Sequence, residues 1–509
     1  MQLHVFETFW LTPRVDYSVR VHYKQDKVMG VTKESGEADP FDPFLSRQLR
    51  AITSELRDAL NHRVLLGMVL LALLVGVGSG LGAVGFRWMI FGVTWLATGR
   101  FQFGQQGRVA SSHLPWLGVW FLLLIPVVSG LLYGVLISRY APEARGHGVP
   151  EVMAAVAEEG GRIRPRVTVV KALASAICIG GGGSVGREGP IVQIGSAFAS
   201  TIGQLTKLPP PRLRLLVACG AAGAIAATFN APVTGVLFGY ELILREFSPE
   251  AVVPLTGTAT VADLIGQQFF GSAPIFNGLP HELVVPHVSD YLLVAILGLV
   301  AGLAGVAFTR VLYKVEDVCD WAWHGRPEWA RPVAGGVLLG LVLLAVPQLY
   351  GVGYPVIVKT VTGHYVLWFL VVMFVGKMLA TSLTIGIGGS GGVFAPSLFI
   401  GAALGATFGV SAHDLFGSVA GQPAMYAVLA MGAVFAGATR APLTAIASVA
   451  EMTGNFSLLL PIMLAVAISI LVSAHMGEGT IYTTKLLRRG TDIDRLRTKG
   501  WDAAVGEAP

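Results

Sequence analysis

The sequence predicts an all-α polytopic membrane protein made of two repeated halves whose helices are broken within the membrane. Of its 509 residues, 53% are hydrophobic and only 13% are charged, whereas a soluble domain carries about 25% charged residues. One stretch occurs twice: residues 171–195 and 377–401 align without a gap and share 12 of 25 positions. Both copies hold glycine clusters inside apolar segments, a pattern typical of transporter folds whose broken helices meet at a central site.

The N-terminal segment, residues 1–62, is predicted to be cytoplasmic and partly disordered, with a surface helix at about Ser46–Asn61. It is polar and lacks the apolar core and cleavage site of a signal peptide. Basic residues cluster before the first span and after the last one. The positive-inside rule therefore places both termini in the cytoplasm, and the expected compartment is the cell (plasma or inner) membrane.

The first half, residues 63–271, begins with spans expected at Val64–Phe86 and Leu117–Ile137, the second with a kink at Pro126. The apolar segments that follow are mostly shorter than the ~20 residues needed to cross a bilayer, and glycine and proline separate them. They are Gly146–Glu158, Lys171–Ile179, Arg187–Ile202 and Leu213–Ala227. Because non-helical backbone at membrane depth must be buried or line a cavity, these breaks are expected to converge on an internal site.

After a connecting loop at residues 272–290, the second half, residues 291–490, repeats this organisation. Longer spans are expected at Tyr291–Phe308 and Leu458–Ala474. The short segments are Val333–Val346, Tyr365–Val375, Phe394–Val410 and Ala424–Ala436. Residues 491–509 are predicted to form a short cytoplasmic tail.

Three motifs with glycine first and proline last open helices at these breaks: GHGVP (146–150), GREGP (186–190) and GVFAP (392–396). The first turn of a helix has unpaired N–H groups and the positive end of the helix dipole, and proline suits that turn because its missing N–H is not needed there. Such helix starts bind anions. Three of them pointing inward predict a site for a small anion.

Glu188 is the most informative charge in the chain. A carboxyl at a helix start within the membrane is costly and usually functional. It can compete with a mobile anion for the positive helix end and leave when protonated, which makes it a candidate gate and proton acceptor. Its neighbours Arg187 and Gly189 belong to the same predicted anion site. The alternative is a structural Glu188–Arg187 pair facing a water-filled vestibule.

The three motifs, together with TIYTT at residues 480–484, resemble the signature motifs of the CLC family of chloride channels and chloride/proton antiporters. The resemblance covers roughly residues 64–490. It implies a CLC-type inverted-repeat fold with broken, tilted helices, and a homodimer in the lipid bilayer with one pore per subunit. It also implies chloride or another small anion as the transported ligand, with no cofactor and no nucleic acid.

Residue roles follow from the same resemblance. Glu188 matches the gating glutamate of the family. The backbone amides of Val393 and Phe394 match those that hold the central anion, and Tyr482 matches the tyrosine whose hydroxyl coordinates it. Without the resemblance, Tyr482 would be interpreted as an interfacial anchor.

His147 departs from the family pattern, because the family usually has a serine there whose hydroxyl contacts the central anion. Neutral imidazole can donate one hydrogen bond, and the protonated form adds a positive charge. His147 therefore either tightens anion binding at low pH and changes selectivity, or turns aside and leaves the anion to backbone amides.

Leu242 is the second departure. Proton-coupled members carry an internal glutamate soon after the FNAP motif (229–232), and the alignment puts that position at Leu242, which cannot carry a proton. Glu241 lies about 100° around a helix from it and is expected to be structural. We therefore expect channel-like or weakly proton-coupled conduction. The alternative is a stoichiometric antiporter whose protons travel by water or another carboxyl.

Other charged residues are expected to be structural. Lys171 and Lys377 occupy equivalent repeat positions; they either raise the potential along the anion route or, as we favour, snorkel or bond helix-end carbonyls. Arg440 and Glu451 are predicted to form a pair.

Two rival classes of function fit the sequence less well. An enzyme would use the glycine runs as a nucleotide-binding loop, but such a run alone is weak evidence, and no phosphate-binding GKS or GKT motif follows. The three cysteines, Cys178, Cys219 and Cys319, show no disulfide or metal spacing. A cation transporter would need carboxylates or unwound carbonyls at the site, whereas glycine- and proline-led helix starts favour an anion.

Overall fold

The computed structural model describes residues 43–104, 107–279, 283–285, 287–288, 290–417, 420–477 and 479–493. Within these residues the named elements are all helices, joined by loops and short 3-10 turns. The all-α fold class predicted from the sequence is therefore confirmed. The chain divides into two units, residues 1–61 and 62–509.

Of the first unit, the structure describes residues 43–61, which are helical and form the start of α1. The predicted surface helix at Ser46–Asn61 falls inside this element. The disorder predicted further upstream lies outside the described residues, as does most of the predicted C-terminal tail.

The first half contains eight α-helices among its described residues. They are α1 (Pro43–Thr98), α2 (Phe121–Tyr140), α3 (Val149–Ala157), α4 (Pro165–Gly180), α5 (Glu188–Leu205), α6 (Pro210–Phe229), α7 (Pro232–Phe238) and α8 (Pro249–Phe270). A π-helical turn at Gly239–Leu244 continues α7. The segments α3 and α7 are far too short to cross a bilayer, as expected for broken helices.

The second half, over its described residues, runs from α9 to α17. Its helices are α9 (Asp290–Trp323), α10 (Arg331–Ala345), α11 (Tyr354–Val361), α12 (Leu367–Gly386), α13 (Phe394–Phe416), α14 (Pro423–Thr439), α15 (Pro442–Thr453), α16 (Leu459–Met476) and α17 (Thr483–Arg488). Eight helical stretches of the described chain are long and apolar enough to span a membrane. The protein is therefore a multi-pass membrane protein.

Several helices extend beyond their predicted ends. Helix α1 runs to Thr98 instead of Phe86, and α9 runs to Trp323 instead of Phe308, because the apolar pattern marks only the part of a helix at membrane depth. The prediction that a segment ends at Val375 is wrong. Lys377 lies inside α12, buried, where its ammonium has acceptors.

Small residues let the helices behind the site pack with their backbones close together. A Cβ on Gly195 of α5 would lie 2.3 Å from the carbonyl oxygen of Gly220 on α6. At the equivalent repeat position, a Cβ on Gly401 of α13 would lie 2.4 Å from the carbonyl oxygen of Ala430 on α14. Close approach through small residues is the usual way helices associate in membranes. It fixes where α5 and α13 begin.

Lys171 and Lys377 make equivalent structural bonds. The ammonium of Lys171 donates to the carbonyl oxygens of Ala144 at 2.9 Å and Gly146 at 2.7 Å. That of Lys377 donates to the carbonyl oxygen of Gly351 at 2.9 Å, and Gly351 is the repeat counterpart of Gly146. Each lysine therefore holds the glycine loop of its own half, as the structural interpretation predicted.

Glu241, which follows α7, caps the start of α15, and Glu451, which lies on α15, caps the start of α7. Helices α7 and α15 occupy equivalent positions in the two halves. The Glu241 carboxylate accepts from the N–H groups of Leu443 and Thr444 at 2.9 and 2.7 Å, at the start of α15. The Glu451 carboxylate accepts from the N–H groups of Val233 and Thr234 at 2.9 and 2.7 Å, at the start of α7.

The predicted Arg440–Glu451 pair is therefore wrong. The two residues lie at opposite ends of α15, and 11 residues of helix separate them by about 16 Å. Arg440 donates instead to the carbonyl oxygens of Ser473 and Gly477 at the end of α16.

Candidate functional site

The glycine loops of the two halves meet in the interior of the protein. The N–H of Gly186 donates to the carbonyl of Gly392 at 2.8 Å, and the N–H of Gly392 donates back to Gly186 at 2.7 Å. The N–H of Gly146 donates to the carbonyl of Gly389 at 3.0 Å. These bonds bring together the starts of α3, α5 and α13, which are the three motif-led helix starts that the sequence singles out.

The Glu188 carboxylate lies on the first turn of α13. Its Oε1 accepts from the N–H of Phe394 at 2.6 Å and from the N–H of Ala395 at 3.2 Å. Glu188 is completely buried, and its Oε2 has no hydrogen-bond partner among the described residues. A helix start of this kind binds anions, and here it holds a carboxylate oxygen of the protein itself.

Glycine is required at positions 186 and 392 to leave room for this carboxylate. A Cβ on Gly186 would lie 2.1 Å from Oε2 of Glu188, and a Cβ on Gly392 would lie 2.3 Å from Oε1. Real Cβ atoms essentially never approach another heavy atom this closely. The two glycine positions of the motifs therefore make the space that Glu188 fills.

Arg187 points away from this carboxylate. Its Nη2 donates to the carbonyl oxygen of Thr228 at 2.9 Å, and its guanidinium carbon lies 5.1 Å from the centre of the Tyr354 ring. Arg187 also lines a cavity of about 520 Å³ together with Arg87 and Lys359. The direct Glu188–Arg187 pair of the alternative interpretation is not formed, although the cavity beside Arg187 is basic.

Val393 and Phe394 form the start of α13, and both are completely buried. The Phe394 ring packs on Phe229, with ring centres 5.0 Å apart, and on Phe435, with ring centres 4.5 Å apart. This aromatic packing fixes the backbone N–H groups that face Glu188. Gly189 lies beside them, since a Cβ there would be 3.1 Å from the Cα of Gly392.

His147 and Tyr482 are buried near each other, with ring centres 6.1 Å apart. Among the described residues, neither Nδ1 of His147 nor the hydroxyl of Tyr482 has a hydrogen-bond partner. Buried polar groups are nearly always satisfied by protein, water or an ion. An anion bound here would accept from the Tyr482 hydroxyl, and from Nδ1 of His147 when that nitrogen carries a proton.

Two polar residues of this region had no clear signal in the sequence. Tyr313 of α9 donates its hydroxyl proton to the carbonyl oxygen of Ile481 at 2.7 Å, and its oxygen lies 3.5 Å from Nε2 of His147. Gln193 of α5 is buried, and a Cβ on Gly148 would lie 2.7 Å from its Oε1. Both residues stand in otherwise apolar or small-residue helices, where a single polar side chain has many ordinary explanations.

Leu242 is buried in the π-helical turn after α7, and this turn packs against α3. The carboxylate of its neighbour Glu241 is held by the start of α15. Neither residue therefore brings an unengaged carboxylate to the place where the family resemblance would put one.

In the part of the chain that the structure describes, no group of three or more histidine, cysteine, aspartate or glutamate side chains could hold a metal ion. The site is built instead from helix starts, one carboxylate, one imidazole and aromatic hydroxyls.

The known proteins to which this sequence is similar are named as chloride channels and chloride/proton exchangers. The family model for the voltage gated chloride channel matches residues 129–474. A protein named as a ClcB-like chloride channel protein of Ralstonia nicotianae is 34% identical, over 84% of this chain and 99% of its own length. The H(+)/Cl(-) exchange transporter ClcA of Vibrio parahaemolyticus is 32% identical, over 87% of this chain and 94% of its own length.

A solved structure has the same fold. It is the crystal structure of a slow cyanobacterial Cl−/H+ antiporter, which superposes with a TM-score of 0.72 at 28% identity and covers 83% of this chain and 97% of its own. One assignment follows from the contact between the glycine loops of the two halves, from the helix starts at the three motifs and from these similarities. The chain belongs to the CLC family, whose family model describes the voltage gated chloride channel.

Proposed function

We propose that this protein transports chloride across a membrane along a path in each subunit that Glu188 gates. The observation that carries the proposal is the Glu188 carboxylate on the first-turn N–H groups of Phe394 and Ala395, at 2.6 and 3.2 Å. The carboxylate and a chloride ion compete for the same positive helix end. Charged Glu188 closes the path, and protonated Glu188 gives up the helix end to the anion.

The anion-binding groups are proposed from the family resemblance, with the contacts of Glu188 and the unpaired groups of His147 and Tyr482 as support. The backbone N–H groups of Val393 and Phe394 hold the ion from one side, and the hydroxyl of Tyr482 and the imidazole of His147 hold it from the other. Arg187 and Gly189 contribute the positive potential and the open backbone next to Glu188. No cofactor takes part; chloride or a similar small anion is the transported ligand, and nucleic acid is not a partner.

We propose that conduction is channel-like or only weakly coupled to protons. The support for this proposal is Leu242, which is buried and has no ionisable group, together with the engagement of Glu241 at the start of α15. Stoichiometric chloride/proton exchange is the second candidate. It is favoured by the names of the relatives, which include H(+)/Cl(-) exchange transporters.

The assembly and location are proposed from the family resemblance and the charge pattern. The membrane region comprises the halves 63–271 and 291–490, joined by the loop 272–290, with a cytoplasmic N-terminal segment and tail. Two copies form a homodimer with a separate path in each subunit. The dimer lies in the cell membrane, and its basic termini are in the cytoplasm.

The first experiment is a reversal-potential measurement on the purified protein in a planar bilayer. A chloride gradient is fixed, and a pH gradient is then imposed across the same membrane. A potential that stays at the chloride equilibrium value supports channel-like conduction. A potential that moves with the pH gradient supports exchange and requires a proton route that avoids position 242.

Ion replacement in the same bilayer tests the anion assignment itself. Replacing potassium by a large organic cation leaves the current unchanged if chloride is carried, and replacing chloride by gluconate abolishes it. The reverse result would contradict the proposed function and favour a cation transporter.

A further inference from the structure

Tyr313 determines how the neutral imidazole of His147 can form hydrogen bonds. The Tyr313 O–H donates to the backbone carbonyl oxygen of Ile481 at 2.7 Å, so it has no second proton to donate. Its oxygen lies 3.5 Å from Nε2 of His147 and keeps lone pairs that accept. The Tyr313 oxygen can accept from His147 only when the neutral ring carries its proton on Nε2, and this tautomer then donates a long hydrogen bond to Tyr313.

The other nitrogen of His147, Nδ1, then bears a lone pair in the neutral ring. It is buried and has no hydrogen-bond partner among the described residues. A lone pair repels an anion, so this tautomer of neutral His147 cannot replace the serine hydroxyl that the family usually has at this position. Only the imidazolium donates from both nitrogens. While the bond to Tyr313 is kept, His147 therefore contacts an anion through Nδ1 only when it is protonated.

The charges around His147 make protonation of its ring more favourable when an anion is bound beside it. Lys171, Lys485 and Arg489 surround it with positive charge. One carboxylate, Glu151 on α3, pairs with Lys485 at 3.1 Å and with Arg489 at 3.0 Å. An imidazolium alone would add to the positive charge of these three side chains, whereas a bound anion offsets it. Proton and anion therefore stabilise each other at this site.

Other titratable groups lie in the same region. The rings of Tyr482 and Tyr313 lie next to His147; Glu188 acts electrostatically on Tyr482, and Glu316 and Arg488 act on Tyr313. Arg488 pairs with Asp317 at 2.6 Å, so that pair brings little net charge. Glu188 is the proposed gate and is the group to which a proton must finally be delivered.

We propose that His147 binds a proton at Nδ1 together with the anion and is the internal proton site of this protein. In the first step an N–H bond forms on Nδ1 while an O–H bond of a hydronium ion from the cytoplasmic side breaks. In the second step that N–H bond breaks and an O–H bond forms on the Glu188 carboxylate, which restores the neutral imidazole. The proposal rests on the proposed function, because it assumes that the anion passes His147.

Isothermal titration calorimetry of chloride binding to the purified full chain carrying Glu188→Gln tests the proposal. Buffers with different enthalpies of ionisation report the protons taken up per chloride, and the glutamine removes the proton of the gate itself. We expect uptake of about 0.5–1 proton per chloride near neutral pH. The Kd for chloride should rise with pH, by up to about tenfold per pH unit.

His147→Ser, added to Glu188→Gln, is the decisive comparison. Serine can donate to the anion but cannot hold the proton, so we expect uptake to fall below about 0.1 proton per chloride. Chloride binding without proton uptake in the Glu188→Gln protein, or uptake that survives His147→Ser, overturns the proposal and leaves anion transport standing. If the Glu188→Gln protein binds no chloride at all, the proposed function fails instead.

Tyr313→Phe, in the same Glu188→Gln background, tests the positioning role of the hydroxyl. Without it, the neutral ring is free to carry its proton on Nδ1 and to donate it to the anion, so we expect proton uptake to fall by roughly half or more. Tyr350→Phe is the matched control, because the Tyr350 hydroxyl also donates to a buried carbonyl, that of Gly180 at 2.5 Å. Uptake that falls equally in both variants, or in neither, contradicts the role of Tyr313.

Discussion

At the scale of single residues, Glu188 has a carboxylate oxygen on two N–H groups of α13 and a second oxygen without a partner. The first oxygen is held as an anion would be, and the second is open to a proton. One side chain thus combines the properties of a competing anion and of a proton acceptor. Its effect on transport should therefore depend on pH in a way that a glutamine cannot reproduce.

Glu188→Gln should remove the pH dependence of chloride flux. The wild-type flux should rise as pH falls, by up to about tenfold per pH unit, because one proton releases the carboxylate from α13. The measurement is chloride efflux from liposomes at a chloride concentration well above the Kd at every pH, so that the pH dependence of chloride binding at His147 does not limit the flux. Wild-type pH dependence in the variant would show that Glu188 is not the gate.

His147→Ser should change the order in which anions are preferred. The imidazolium is large and charged, whereas the serine hydroxyl is small and neutral, so the balance between ion dehydration and ligand contact shifts. Reversal potentials with chloride on one side and bromide, nitrate or fluoride on the other measure the order. An unchanged order would mean that His147 does not contact the ion and that backbone amides alone select it.

At the scale of helices, Glu241 and Glu451 are equivalent caps, each on the other half of the protein. Glu241→Ala leaves the N–H groups of Leu443 and Thr444 without their acceptor. We expect a loss of about 1–2 kcal/mol in the free energy of unfolding. Thermal unfolding in detergent, followed by tryptophan fluorescence, should show a lower Tm, and Glu246→Ala at an exposed position nearby should not. A similar shift in both variants would argue against the cap.

The helix starts of the site could be predicted from the sequence, whereas the contacts behind them could not. Glycine followed by proline is a local signal, so the starts of α5 and α13 lie where GREGP and GVFAP predict them. The two halves could be aligned because the repeated residues form one continuous stretch in each half. The bond of Tyr313 to Ile481 joins residues 168 positions apart, and nothing near either residue indicates it.

The interrupted segments were also harder to predict than the long spans. Lys377 follows the predicted segment Tyr365–Val375, and a buried lysine is costly unless it has acceptors. The acceptors, on Gly351 and Ser184, come from distant parts of the chain. The helix therefore continues through Lys377, for a reason that only the tertiary structure contains.

At the scale of the whole molecule, the two halves depend on each other to form the site. Glu188 belongs to the first half, and the N–H groups that hold it belong to the second. The loops are joined by backbone bonds between Gly186 and Gly392, and the hydroxyls of Ser175 and Ser390 lie 2.8 Å apart across the same boundary. Neither half alone contains both Glu188 and the N–H groups that hold it, so the contact between the halves should be measurable.

A disulfide between Ser175→Cys and Ser390→Cys should join the halves. The hydroxyl oxygens of these two serines lie 2.8 Å apart, so the two side chains point towards each other, as the short Cβ separation of a disulfide requires. The three native cysteines are first replaced by alanine, because Cys178 lies close to this boundary, and a protease site is inserted at the exposed Gly278. After oxidation and cleavage, the chain should migrate as one band without reductant and as two bands with it.

The matched control for this cross-link is Ser196→Cys paired with Ser390→Cys. Ser196 is equally buried, but its hydroxyl donates to the carbonyl oxygen of Val217 within the first half. This pair should give two bands whether or not reductant is present. Cross-linking in the control, or its absence in the Ser175 pair, would contradict the arrangement of the loops. Because the same loops hold Glu188, the position of the proposed gate would then have to be revised as well.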